Sequence, residues 1–150
     1  MTGLPISAIA HWALKTHDAG RLLGFYRDTL GFDEMMRLHK EDGQLWLVYL
    51  RVTDTQYLEI FPEGEQGSAP SEDATAMNHI CLAVDSVEAT ADWLKAKGID
   101  IFRAPKLGAD GNLQCWIRDP DGNRIEFMQM LSGNMQEEAI IRLRAARQSP

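Results

Sequence analysis

The sequence predicts an α+β fold: two tandem βαβββ modules forming a curved mixed sheet around a cleft, plus a C-terminal helix. Three observations carry this expectation. An alternating strand with a histidine near its start occurs at 10–14 and again at 78–82. Each is followed by an amphipathic segment that ends in glycine. Each half then closes with a strand bearing one glutamate, at 57–61 and 124–128. The histidines lie 68 positions apart and the glutamates 67, as do Gly31 and Gly98. Several matches at nearly one offset, in the same order, mark a repeated unit.

The elements follow in order. The first helix spans roughly 19–30, with Asp18 as N-cap and Gly31 after its end; Leu23, Tyr26 and Leu30 fall at helical spacing. The second spans roughly 87–97, with Ser86 as N-cap, Gly98 after it, and Val87, Ala91 and Leu94 on one face. An extended segment follows each helix, then a polar turn at 41–43 or 109–112, then a Trp-bearing strand at 44–51 or 113–118. A second turn at 53–55, or the Asp119-Pro120-Asp121-Gly122-Asn123 run, leads to the glutamate strand. In that run proline presets φ and glycine accepts positive φ. The expected organisation is a single domain over 1–150. Module 1 covers about 6–62, a Gly-, Ser-, Pro- and acid-rich linker about 62–76, module 2 about 77–131 and a helix about 134–148. That helix places Glu137 and Glu138 in its first turn and Arg142, Arg144 and Arg147 near its end. Met135, Ala139, Leu143 and Ala146 form one stripe, suited to packing on the domain or on a partner subunit.

Bulk properties narrow the function. The 150 residues are 45% hydrophobic and 25% charged, an ordinary globular composition, with a formal net charge of −7. An acidic balance argues against nucleic acid. No apolar run reaches the ~18–20 residues that cross a bilayer, and the segment 1–10 has no basic residue to begin a signal peptide. Cys81 and Cys115 lie in apolar strand patterns and read as buried free thiols of a cytoplasmic protein. Trp12, Trp46, Trp93 and Trp116 read first as core, with Trp116 the foremost pocket candidate.

Alternation places the chemistry. On the first strand His11 shares a face with Ala13, against Trp12 and Leu14; on its counterpart His79 shares a face with Cys81, against Ile80 and Leu82. Glu59 points away from Leu58 and Ile60, and Glu126 away from Ile125 and Phe127. A carboxylate inside an apolar strand is costly unless it is paired or metal-bound. Two equivalent imidazoles and two equivalent carboxylates make a donor set for one divalent ion, so His11, Glu59, His79 and Glu126 are the expected ligands and the cleft a metal cleft. The set is compatible with Ni, Zn, Co, Mn or Fe. Tyr57, Phe61 and Met128 share the metal face and are candidate pocket walls. His17 and His39 have no counterpart in the repeat and read as surface residues.

From about residue 9 to 130 the chain resembles the vicinal oxygen chelate superfamily, which holds the glyoxalases, bleomycin resistance proteins and dioxygenases. Within it the likeness is to glyoxalase I (lactoylglutathione lyase). The resemblance rests on His11, the 25–32 segment FYRDTLGF, the 58–61 segment LEIF, the 78–80 segment NHI and the 119–126 segment DPDGNRIE. It implies paired βαβββ modules, often in homodimers, around a metal that chelates two neighbouring substrate oxygens. It further implies isomerisation of the hemithioacetal of a 2-oxoaldehyde and a thiol through an enediolate, with Glu126 as base and Glu59 as the less mobile ligand or second base. Two positions depart from the glyoxalase I pattern. Lys15 stands where an arginine commonly meets a glutathione carboxylate, and Glu63 stands where an asparagine is frequent. Lys15 keeps the charge without the bidentate fork. Arg51, Arg118, Arg124 and Lys106 are surface or turn positions that offer alternative cations. Other readings within the resemblance are an epimerase, a ring-cleaving dioxygenase, and a non-catalytic antibiotic-binding protein. Whether the modules pair within one chain or across a dimer stays open, as does the identity of the thiol.

Overall fold

The computed structural model describes residues 4 and 6–148, with side chains through 146. Most of the segment judged for a signal peptide is described, but residues 1–3 and 5 lie outside it, as does the side chain of Arg147. The chain divides into two compact units, 1–68 and 69–150.

In the first unit β1 (His11–Lys15) leads to helix α1 (Ala19–Leu23), which continues as a π-helical turn over Gly24–Thr29. Asp18 caps α1 by accepting from the Arg21 amide at 2.9 Å. The π turn is closed by the Leu30 amide on the Phe25 carbonyl at 2.9 Å and by the Thr29 hydroxyl on the Gly24 carbonyl at 3.0 Å. β2 (Asp33–His39), β3 (Leu45–Arg51) and β4 (Tyr57–Phe61) complete a four-stranded mixed sheet of order β1-β4-β3-β2, with β1 parallel to β4. Leu22, Leu23 and Tyr26 of the helical segment are buried, as are Leu14, Val48, Leu50, Leu58 and Ile60 of the sheet. Full burial of such a side chain is worth about 1.5–3 kcal/mol.

The second unit repeats the plan with β5 (Ile80–Ala83), α2 (Val87–Ala96), β6 (Ile101–Leu107), β7 (Leu113–Arg118) and β8 (Arg124–Gln129), in sheet order β5-β8-β7-β6. Ser86 caps α2 through the Ala89 amide at 3.1 Å. Val87, Ala91 and Leu94 bury their helix face, and Cys115, Ile117, Ile125 and Phe127 bury the sheet side. The turn before β8 ties itself together. Asp119 Oδ1 accepts from the Asp121 and Asn123 amides at 3.0 and 2.8 Å, and Gly122 sits at φ +88°, where a Cβ is unfavourable.

Four expectations are corrected. Arg124 is buried rather than a surface residue: it donates to the Pro70 and Asn78 carbonyls at 2.9 and 2.8 Å and so ties the segment before β5 to the second unit. Cys81 is exposed while Cys115 is buried, because Cys81 falls on the face of β5 opposite the helix. Trp46 and Trp93 are exposed, at an irregular position near the start of β3 and off the buried face of α2. Helix α3 (Met135–Gln148) forms as expected, capped by Asn134 on the Glu137 amide at 2.8 Å, but of the two packings expected for its stripe the one on its own module is not made at Met135 and Leu143, which stand 68% and 57% exposed. No helix among the described residues is long and apolar enough to cross a membrane.

Candidate functional site

Each unit brings one histidine and one glutamate together on the sheet face opposite its helix. β1 and β4 run parallel with Ala13 opposite Glu59, and β5 and β8 with Cys81 opposite Glu126. Each histidine therefore sits one same-face step along the neighbouring strand from its glutamate. His11 Nε2 lies 3.7 Å from Glu59 Oε2, and His79 Nε2 lies 3.0 Å from Glu126 Oε2. Both carboxylates are buried, at 7% and 9% exposure. The histidines are more open, with side chains 49% and 31% exposed.

The donor chemistry fits a cation best in the second unit. Asn78 Nδ2 donates to the Glu72 carbonyl at 3.1 Å, which turns Oδ1 toward His79 Nδ1 at 2.9 Å. An amide oxygen only accepts, so Nδ1 carries the hydrogen, and in the neutral ring Nε2 presents a lone pair. That lone pair faces a carboxylate oxygen. Two acceptors at 3.0 Å require a cation between them, a proton or a metal ion. Among the described residues no three His, Cys, Asp or Glu side chains gather in one metal-binding group; the arrangement is of pairs.

The surroundings differ between units. Trp116, buried and opposite Glu126 in the β7–β8 register, meets the His79 ring edge-on at 4.6 Å between centroids. Its indole donates to Gln114 Oε1 at 2.5 Å. Partial desolvation against the sheet and the neighbouring Glu126 push the Cys81 thiol up to about 12 although the residue is solvent-accessible, so it is a neutral neighbour rather than a nucleophile. In the first unit the residue opposite Glu59 is Tyr49, and the interaction of its hydroxyl with that carboxylate, with burial, raises its pKa. The sequence marks Tyr49 only by its place 67 positions before Trp116, the same offset as the glutamates. Asn78 was noted only as part of a motif, since its role depends on what its amide bonds to.

The remaining candidates are dispersed. Tyr57, half-buried, donates to the Asp54 carbonyl at 3.2 Å, and Phe61 meets Trp46 edge-on at 6.5 Å. Met128 is half-buried next to Phe127 on β8. Lys15 lines an open depression of about 390 Å³ with Glu63, Gly64 and Glu65. Glu63 adopts φ +63° and is held by Lys40 Nζ at 2.5 Å. Arg51 pairs with Asp54, and Lys106 is exposed. Arg118 is half-exposed at the C-terminal end of β7, an inner strand of its sheet, 3.6 Å from Glu72.

Known proteins share this plan. The chain is 29% identical over 123 residues to a lactoylglutathione lyase of Haemophilus influenzae, covering 81% of this chain and 91% of the lyase. It is 26% identical over 124 residues to an ethylmalonyl-CoA/methylmalonyl-CoA epimerase of Cereibacter sphaeroides, covering 79% and 92%. The solved glyoxalase family protein from Enterococcus faecalis superposes with a TM-score of 0.72 at 24% identity, over 83% of this chain and 99% of that one. A model of the Glyoxalase/Bleomycin resistance protein/Dioxygenase superfamily matches residues 8–127, and this chain belongs to that superfamily.

Proposed function

We propose that the protein is a divalent-metal-dependent lyase of the glyoxalase I type, isomerising the hemithioacetal of a 2-oxoaldehyde. The observation that carries the reading is the His79–Glu126 pair, with Nδ1 fixed as a donor by Asn78 and Nε2 left facing a carboxylate. His11, Glu59, His79 and Glu126 would hold the ion, within one chain or between two copies of a homodimer. When bound, the ion supplies Lewis-acid polarisation of two adjacent substrate oxygens.

The chain's own residues do the rest. Glu126 removes the proton from the carbon bearing oxygen and sulfur and returns it to the neighbouring carbon, while the hydroxyl proton passes to the former carbonyl oxygen, so that the carbon that bore the hydroxyl becomes the thioester carbonyl and its neighbour the new carbinol. The low exposure of Glu126 and the cover of Trp116 keep water from competing for that proton. Glu59, which the Tyr49 hydroxyl faces, serves as the less mobile ligand or second base. Lys15 offers a point charge to a substrate anion, while Tyr57, Phe61, Trp116 and Met128 supply apolar walls.

The curated lyase relative supports this reading over others of the superfamily. The epimerase relative supports a second one, in which the same carboxylates move a proton on and off a carbon next to a thioester. The test is metal content of the purified protein and of a Glu59→Ala/Glu126→Ala double variant, followed by thioester formation from methylglyoxal and glutathione. About one ion per site in the wild type, lost in the variant, is expected, together with thioester production. Metal without thioester, but with proton exchange at an acyl-CoA α-carbon, selects the epimerase. No metal under any loading condition overturns both.

A further inference from the structure

The sheet face that carries His79 and Glu126 also carries a cationic cluster without a role so far. Arg103 of β6 stacks over the rings of Phe102 and Trp116, at 5.4 and 5.1 Å, and Arg118 of β7 over Phe102 at 4.4 Å. Trp116 is the ring that meets His79. Trp116 thus separates the Arg103 guanidinium from the His79–Glu126 pair, and Arg118 lies one ring further out, over Phe102, whose centroid is 6.4 Å from that of Trp116.

Both arginines converge on a single carboxylate, Glu72, from the segment between the units' sheets. Arg103 reaches both Glu72 oxygens through Nη2 alone, at 3.0 and 2.8 Å, and Arg118 Nη2 lies 3.6 Å from Oε1. The one other bond of these guanidiniums is from Arg118 Nη1 to the Gly122 carbonyl at 3.4 Å, among the described residues. Two positive charges therefore share one negative charge, and neither fork is used in the bidentate manner that guanidinium geometry favours. All three side chains are 38–43% exposed, so Glu72 can be exchanged for a ligand without opening a core. The rings hold the guanidiniums in place while their donors face outward. In a chain of net charge −7 such a pair is a local exception.

We propose that Arg103 and Arg118 form a binding subsite for a carboxylate-bearing substrate, and that Glu72 is a tethered competitor occupying it in the free protein. The inference deepens the proposed reading, on which it rests for the identity of the neighbouring reaction: the substrate handled beside His79 and Glu126 carries a carboxylate at its far end. Glu72 stands in for that group.

The test separates binding from turnover. Glutarate, with its neutral diamide as control, is titrated into the metal-free full chain and followed by 1H–15N NMR. Glutarate is expected to shift the Phe102, Arg103, Trp116 indole and Arg118 signals, and the diamide to leave them in place. Removing the competitor in Glu72→Gln is expected to lower the glutarate dissociation constant about tenfold, as the fraction of open subsite rises. Adding Arg103→Gln to that variant is expected to abolish the shifts. An unchanged constant in Glu72→Gln, or shifts that survive Arg103→Gln, overturns the proposal. In turnover, Glu72→Gln is expected to lower KM for the glutathione hemithioacetal and not for that of 2-mercaptoethanol; an equal fall in both also overturns it. Absence of thioester from either adduct counts against the lyase reading alone, because the titration needs no metal and no reaction.

Discussion

The two His–Glu pairs come from one repeated plan and are finished differently. In the second unit the histidine is fixed at both nitrogens, by Asn78 at 2.9 Å and Glu126 at 3.0 Å, and an indole edge limits its rotation. In the first, Ala10 occupies the position before His11 and offers no side-chain acceptor, the Nε2–carboxylate gap is 3.7 Å, and the ring is 49% exposed. The restraint there falls on the carboxylate instead, through Tyr49. The repeat thus supplies the same donors twice, and the neighbours decide which donor of each pair is held. Glu126 faces an imidazole whose orientation is set, and it remains the base of the proposed reading. A held carboxylate suits Glu59 as a standing ligand.

The comparison can be broken most directly at Asn78. Outer partners of metal-bound histidines typically contribute 10–100-fold in metal affinity. Asn78→Ala is therefore expected to weaken binding of a divalent ion, Zn or Ni, by about 10–100-fold, with Asn78→Asp restoring much of it because the acceptor returns. Calorimetric titration of the metal into both variants measures this. Equal affinity in wild type and Asn78→Ala would mean that the amide does not orient His79.

Tyr49 sharpens the same contrast with a smaller effect. Tyr49→Phe removes one donor from Glu59 while leaving the ring to pack, so a loss of about three- to tenfold in metal affinity is expected, in line with one hydrogen bond to a charged group in a partly open position. If Tyr49→Phe costs as much as Asn78→Ala, the two units are equally restrained and the division of roles between Glu59 and Glu126 fails.

Much of this plan is legible in the sequence because it depends on periodicity. Alternation places His11, Glu59, His79 and Glu126 on the helix-free faces, and cap residues locate both module helices at their N-termini. The π turn at 24–29 leaves no such trace, since a hydrogen bond shifted by one residue keeps the same apolar spacing. Burial is legible only where both faces of an element are covered. Trp46, Trp93 and Cys81 are apolar residues that the described chain leaves uncovered, so composition suggests core where the structure has surface. Arg124 is the reverse case: its charge reads as surface, but carbonyls at 70 and 78 converge on it from a segment whose path no local pattern records. Asn78 and Glu72 escape for the same reason, because their roles exist only through partners distant in sequence.

The smallest effect tests the contrast away from the histidines. The first unit joins its helical segment to β2 through Glu34, which accepts from Arg27 Nη1 at 2.9 Å and from Arg37 at 2.5 and 2.8 Å. The Arg37 guanidinium, then Arg27, holds the Glu34 carboxyl down from 4.5 to about 2. A depressed folded-state value means that this carboxylate stabilises the fold fully above about pH 4.5, and that the contribution is lost as pH falls toward 2. The three side chains are partly solvated, so after screening the contribution is about 1 kcal/mol rather than the full equivalent of the shift. Glu34→Gln is accordingly expected to lower stability by about 1 kcal/mol at pH 7 and by progressively less below pH 4.5, as read from urea unfolding across that range. The second unit has no such carboxylate at the equivalent Ile101, so Ile101→Val should show no pH-dependent component over the same window. A Glu34→Gln deficit that stays constant from pH 7 to pH 2 would mean that the side chain acts through packing, and that ionic bracing does not distinguish the two units.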